Sequence, residues 1–118
     1  MATTDDDVIR VGELEIRPSA CIAVAGGHTL VLSVRELGLL EALGRRSGQV
    51  VSREQLYADV WGGTLRPEDR SVDVYVRRLR MKLAAALPDR AFIHTHFGLG
   101  YRLASERSRA FHKSATSS

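Results

Sequence analysis

The sequence predicts an α+β domain: a four-stranded antiparallel sheet, then three helices, then a C-terminal β-hairpin. Three observations carry the prediction. Residues 8–31 break into short segments rich in Val, Ile and Leu, separated by turn residues. From Ser33 the apolar spacing lengthens from a two-residue period to about 3.6, and successive stretches open on helix-start signals. Beyond Pro88 an alternating segment, a glycine pair and a returning segment bring the shorter period back.

The elements follow in order. Val8–Val11, Leu14–Ile16, Cys21–Val24 and His28–Leu32 are the predicted strands, punctuated by Gly12-Glu13, Pro18-Ser19 and Gly26-Gly27. Ser33 to Glu36 forms a capping box, in which the Ser hydroxyl accepts from the amide three residues on and the Glu reaches back. It opens a helix with Leu37, Leu40 and Leu43 on one stripe, ending near Ser47-Gly48. Ser52 to Gln55 repeats the box and starts a short helix that turns Leu56, Val60 and Trp61 inward until Gly62-Gly63 stops it. A loop through Thr64 and Pro67 leads to a third helix over about residues 68–87. There Pro67 suits the first position, and Glu68 and Asp69 suit the first turn, where the macrodipole favours acids.

The hairpin comprises Phe92–Phe97, a tip at Gly98-Leu99-Gly100 and a return through Tyr101–Leu103. Three helices followed by a hairpin is the winged helix-turn-helix plan, here preceded by a sheet. Residues 1–7 are expected to be a flexible arm and residues 8–103 the domain. Residues 104–118, Ser- and Arg-rich and without periodicity, are expected to be a disordered polar tail.

A chain of 118 residues is the size of one domain and can bury about two-thirds of its unfolded surface. Its single cysteine, Cys21, excludes an internal disulfide framework and a Cys-rich zinc module, and is expected to be a small packed hydrophobe. No apolar run approaches the ~20 residues that span a bilayer, and the acidic start is unlike a signal peptide, so a cytoplasmic location is expected. The net charge of +3 is unevenly spread. Residues 1–65 carry six Lys or Arg against nine Asp or Glu, whereas residues 66–102 carry eight against four. A basic C-terminal half suits an anionic partner, although a charged surface can also be only a solvated one. Fifteen of the seventeen cations are Arg, whose planar fork suits phosphate and guanine.

The third helix carries the chemistry. At about 100° per residue, Val72, Val76, Leu79 and Leu83 fall on one buried stripe. The opposite face holds Arg70, Val74, Arg77 and Met81, with Arg78 on one shoulder, Asp73 on the other, and Arg80 nearer the core. Val and Met between arginines suit a DNA major groove, where Arg forks meet guanine or phosphate and Val74 meets a thymine methyl. Asp73 is expected to pair with Arg77 one turn on. The same face also suits a partner helix or a dimer surface, where Arg and Met are enriched. On the hairpin, Thr95, Arg102 and the glycine tip are candidate groove or phosphate contacts, Thr95 and Tyr101 equally being ordinary strand residues.

The run from Arg70 to Leu83 resembles the recognition helix of OmpR/PhoB-type winged-helix domains, the output half of many bacterial two-component response regulators. The resemblance extends back through Leu32–Leu40, Gly48–Leu56 and Val60-Trp61-Gly62, forward through Ile93–Leu103, and so covers roughly residues 8–103. It implies the fold already read from the residues. It also implies promoter binding in double-stranded DNA, usually by two molecules head to tail on direct repeats, from a chain that is a monomer when free. Position by position, Arg70, Val74, Arg77, Arg78 and Arg80 fall on groove or phosphate positions, and Trp61, Thr95 and Tyr101 on positions that often touch backbone. Gly63, Thr64, Leu65 and Arg66 fall in the loop that can engage RNA polymerase in this family. Two departures stand out. Family members frequently carry Arg before the first tip glycine, where this chain has Phe97, and the seven residues before the first strand cannot supply a phosphoacceptor domain.

No catalytic constellation emerges, and the expectation is a protein that is not an enzyme, without cofactor, metal, membrane or small-molecule substrate. Gly98-Leu99-Gly100 begins a phosphate-loop pattern that Leu103 breaks. His94 and His96 share a strand face but lack a third ligand. Two other readings stand beside DNA binding: a winged helix that docks on polymerase, and a regulatory domain of a larger fusion protein.

Overall fold

The computed structural model describes residues 7–108. The expected arm at 1–6 and the end of the expected tail, 109–118, lie outside the described residues. The first sheet is a meander of β1 (Ile9–Val11), β2 (Leu14–Arg17), β3 (Ile22–Ala25) and β4 (His28–Leu30), paired antiparallel in that order. Ile16 lies opposite both Ile9 and Ala23, and Leu14 opposite both Val11 and Ala25, so one face collects the buried side chains. A one-residue slip would turn that face to water, which fixes the register.

Cys21 is not part of β3. Pro18–Ala20 form a single 3-10 turn, after which Cys21 is exposed with φ 59°. The expectation of a packed cysteine is therefore corrected: the turn that Pro18 starts carries the thiol outward.

The capping box at Ser33 forms in full and opens α1 (Val34–Gly44). Ser33 Oγ accepts from the Glu36 amide at 3.2 Å, and Glu36 Oε1 accepts from the Ser33 amide at 2.8 Å. Glu36 is 2% exposed, and Lys82 Nζ reaches its Oε1 at 2.6 Å. Burial pushes this carboxyl up, but Lys82 and the Ser33 amide more than offset it and hold it below the ordinary carboxylate range. At Ser52 only half the box forms. Ser52 Oγ accepts from the Gln55 amide at 3.0 Å and starts α2 (Arg53–Val60), while the Gln55 side chain donates to Asp59 instead. Gly62 and Gly63, at φ 80° and 87°, end the segment by a route open to few other residues.

The third helix, α3 (Ser71–Ala86), starts later than expected. Pro67, Glu68 and Asp69 all precede it, and Asp73 is the acid of its first turn. Asp69 instead accepts from the Ser71 amide at 2.8 Å and the Ser71 hydroxyl at 2.6 Å, holding the chain at the helix entrance. Val72, Val76, Leu79 and Leu83 are buried, as the wheel predicts, against Leu39, Leu40 and Leu43 of α1, Leu56 of α2 and Phe92, Ile93 and Leu103 of the hairpin. Burying each such side chain contributes about 1.5–3 kcal/mol, so this cluster holds the three helices to the hairpin.

The second sheet contains a strand that the sequence reading lacks. β5 (Val50–Val51) pairs with β7 (Gly100–Arg107), which also pairs with β6 (Arg90–His96), giving the order β5-β7-β6. Where β5 crosses Gly100 there is no room for a side chain: a Cβ there would lie 2.0 Å from the Val51 carbonyl oxygen, at φ 147°. The expected tail also begins too early. Residues 104–107 continue β7, with Arg107 opposite Arg90 and Glu106 opposite Ala91, and Ser108 donates to the Asp89 carbonyl at 2.8 Å. At the other end, Asp7 of the expected arm is held by Arg45 and Ser19, each at 2.9 Å. Among the described residues, no helix is long and apolar enough to cross a membrane.

Candidate nucleic-acid interface

α3 presents three different edges to its surroundings. Its outer edge carries Arg70, Val74, Arg77 and Met81, all exposed, with Val74 at 43% and Met81 at 65%. These apolar side chains sit on the wet side of a helix whose core stripe is complete. The structure thus brings together the outward-facing residues that the sequence singles out.

The edge facing the hairpin is a fixed joint. Asp73 accepts from Arg53 Nε at 3.1 Å and Nη2 at 3.0 Å, and from the Tyr101 hydroxyl at 2.6 Å. Arg70 Nη1 lies 3.8 Å from the same carboxylate. The expected Asp73–Arg77 pair is therefore replaced: Asp73 faces the wing, where Arg53 and Tyr101 converge on it, and Arg77 projects from the outer edge. Burial, with the hydrogen bond to Asp73, pushes the Tyr101 phenol up to about 12, so it stays a neutral donor. Two turns on, Arg80 donates to the Ile93 carbonyl at 3.1 Å and to the Thr95 hydroxyl, and its guanidinium lies 5.6 Å from the Tyr101 ring centre. Arg80 and Thr95 brace the wing against the helix.

The third edge faces α2. Tyr57 and Trp61 stack with ring centres 5.4 Å apart, and Tyr75 meets Trp61 edge-on at 5.3 Å. Arg35 lies over Trp61 at 5.0 Å and Arg78 over Tyr75 at 4.8 Å. Arg78 is thus exposed but steered by an aromatic face. The sequence reading includes Trp61 but misses Arg35, Tyr57 and Tyr75, although the four-residue spacing of Tyr57 and Trp61 is a signal for such a pair. It also misses Arg53, whose partner is 20 residues away and leaves no local trace.

Arg102 stands apart from the other wing candidates. Strand alternation puts it on the face of β7 opposite to Tyr101, where it donates to His96 Nε2 at 2.9 Å and to Glu106 at 3.2 Å. The loop residues Gly63, Thr64 and Arg66 are exposed and Leu65 is half-buried, between the end of α2 and the entrance to α3. Among the described residues, no three His, Cys, Asp or Glu side chains gather as for a metal ion.

The family described as "Transcriptional regulatory protein, C terminal" matches residues 27–103, from β3–β4 to the end of the core hairpin. The chain belongs to this family, of the OmpR/PhoB type. The transcriptional regulatory protein CreB of Escherichia coli is 39% identical over 101 residues, covering 86% of this chain and 44% of CreB. The sensory transduction protein RegX3 of Mycobacterium leprae is 36% identical over 100 residues, covering 85% of this chain and 50% of RegX3. The chain thus spans about half the length of the curated relatives it matches. Among solved structures, the Klebsiella pneumoniae RstA DNA-binding domain in complex with the RstA box aligns with a TM-score of 0.74 at 34% identity, over 82% of this chain and 96% of that one. The DNA-binding domain of E. coli CpxR aligns with a TM-score of 0.75 at 36% identity, over 83% and 96%. As an OmpR/PhoB-type domain, this chain has the sheet, three helices and hairpin of the group.

Proposed function

We propose that this chain binds specific sequences in double-stranded DNA and regulates bacterial transcription from the sites it marks. In this reading α3 lies in the major groove and the wing lies on the adjoining groove and backbone. The observation that carries it is the outer edge of α3, where Val74 stands exposed between Arg70 and Arg77 and Met81 one turn beyond Arg77. In a major groove the Arg forks find guanine edges and phosphates, and Val74 finds a thymine methyl. Arg78, steered by Tyr75, suits a phosphate beside the helix, and Trp61 and Thr95 suit the flanks where the backbone passes, whereas Tyr101, 8% exposed, acts through Asp73. The RstA domain solved on its own box supports the reading by analogy of fold and sequence.

Two finer assignments belong to the same reading. Two copies bind head to tail on direct repeats, and the loop through Gly63, Thr64, Leu65 and Arg66 contacts RNA polymerase. Selection of bound duplexes from a random pool tests the first. The expected result is a direct-repeat motif with half-sites about one helical turn apart. The affinity for it should fall linearly with the logarithm of salt concentration, as counterion release requires. An affinity indifferent to salt would overturn DNA binding altogether and favour docking on a protein surface.

A further inference from the structure

The wing ends in an apolar pair for which the fold itself has no use. Phe97 is 92% exposed and Leu99 is 67% exposed, one on each side of Gly98. Neither contributes to the core cluster, and the turn they flank is closed by the Leu99 amide donating to the His96 carbonyl at 2.8 Å. The tip is not a loose loop. Its strands are fastened to α3 at two points: Arg80 on the Ile93 carbonyl and Thr95, and Tyr101 on Asp73. Wherever α3 docks, the tip arrives in a fixed position beside it.

The surroundings of the pair favour a nucleic acid as the occupant. Phe97 and Leu99 rim a cleft whose charged residues are Arg53 and Glu54, Arg70 and Asp73; Arg53 is paired with Asp73, while the Arg70 side chain is 76% exposed. A protein partner burying only this tip would cover two apolar side chains, far short of the ~800 Å² per partner of a stable protein interface. A wedge into DNA needs no more than one or two such side chains. The tip also lacks what hydrogen-bonded minor-groove reading requires. Neither side chain can donate to the acceptors on A·T pairs, and neither carries the charge that a narrow groove attracts.

We propose that Phe97 and Leu99 enter the minor groove next to the one read by α3 as an apolar wedge, opening a flexible pyrimidine–purine step and bending the duplex toward its major groove. The proposal rests on the DNA-binding reading above. It makes the tip a specificity element that reads deformability: TA and CA/TG steps unstack readily, and stiff A-tracts resist.

The test uses the whole 118-residue chain and a duplex of about 30 base pairs carrying the sequence recovered by selection, with a fluorescent donor and acceptor at its ends. The base step under the tip is varied between TA and AA. Wild-type protein is expected to shorten the end-to-end distance and to prefer TA. The Phe97→Ala, Leu99→Ala double variant is expected to bind the TA duplex about tenfold more weakly, to leave it unbent, and to treat TA and AA alike. Both side chains are exposed, so the substitutions leave the core intact. Phe97→Arg is expected to straighten the complex while steepening the salt slope by about one. An equal bend with the double variant would overturn the proposal. So would a double variant that bends a single half-site normally and loses only cooperativity between two half-sites, which would assign the tip to a neighbouring copy. Wild-type protein that binds with normal salt dependence but without bending would overturn the wedge alone, whereas no salt-dependent binding would overturn the DNA reading itself.

Discussion

Asp73 sits where α2, α3 and β7 meet, and its two oxygens take Arg53 Nε, Arg53 Nη2 and the Tyr101 hydroxyl. It is a positioning residue: it ties α3 to the wing and to the start of α2. Asp73→Asn keeps the shape but removes the charge, leaving the half-buried Arg53 guanidinium without its counterion. A stability loss of about 1–3 kcal/mol is expected in urea titration, together with weaker DNA binding as the wing loosens. Tyr101 adds a pH dependence of known sign. Its phenol ionises near 10 in the unfolded chain and near 12 in the folded one. Its contribution is therefore complete below pH 10 and is lost as pH rises from 10 to 12. Tyr101→Phe has no such contribution to lose, so the stability gap between wild type and variant should close over that window in melting experiments. Arg77 belongs to a different class, because it projects from the outer edge of α3 rather than into the joint. Arg77→Ala should leave the melting temperature unchanged, cost ~1–3 kcal/mol at the selected site, and relax the preference at one base pair in a mobility-shift titration. A uniform loss over all sequences would move Arg77 from the bases to the phosphates.

The helices and the long strands are legible in the sequence because each carries its own periodicity. α1 and α2 carry a Ser start signal as well, whereas α3 has no side-chain cap and begins later than its sequence predicts. The Ser33 box, the buried stripe of Val72, Val76, Leu79 and Leu83, and the glycine stop at Gly62-Gly63 are all local facts. β5 is not legible, because Val50-Val51 is too short to show a period and exists only by pairing with Gly100–Arg102 far along the chain. The extension of β7 to Arg107 escapes notice for the same reason: Ala104 to Arg107 has a polar composition, and pairing with Arg90-Ala91 decides its state. In the candidate interface, the outward residues of α3 follow from helix geometry, whereas the partners of Asp73 come from segments 20 and 28 residues away. Gly100 joins the two levels. It reads in the sequence as a hairpin tip, but its deeper constraint is the Val51 carbonyl lying where a Cβ would go. Gly100→Ala should push β5 off β7 and cost at least about 1–3 kcal/mol, with amide exchange at Val50 and Val51 rising more than in α1. Unchanged protection at Val51 would mean the sheet absorbs the extra carbon elsewhere.

The charge of the molecule is divided unevenly along its chain. Residues 1–65, with the meander and the first two helices, carry an excess of acid; residues 66–102, with α3 and the wing, carry an excess of base. Such a separation orients the chain on approach to DNA and speeds encounter at low salt. It also bears on how a second copy sits. A symmetric back-to-back pair buries the same patch on both copies, so acid meets base across it only where both lie within that one patch. In a head-to-tail pair the acidic part of one copy meets the basic flank of the next, which is the arrangement that direct repeats impose. The two geometries respond differently to spacing. Inserting about five base pairs between half-sites turns the second copy by roughly half a turn of the duplex and breaks a head-to-tail contact, while inserting about ten restores the phase. Cooperativity measured by footprinting should therefore vanish with the first insertion and return in part with the second. The affinity for a single half-site should stay constant throughout, because the insertions change nothing within a half-site. If an inverted repeat supports the same cooperativity as the direct one, the charge asymmetry does not set the arrangement and the head-to-tail pairing fails.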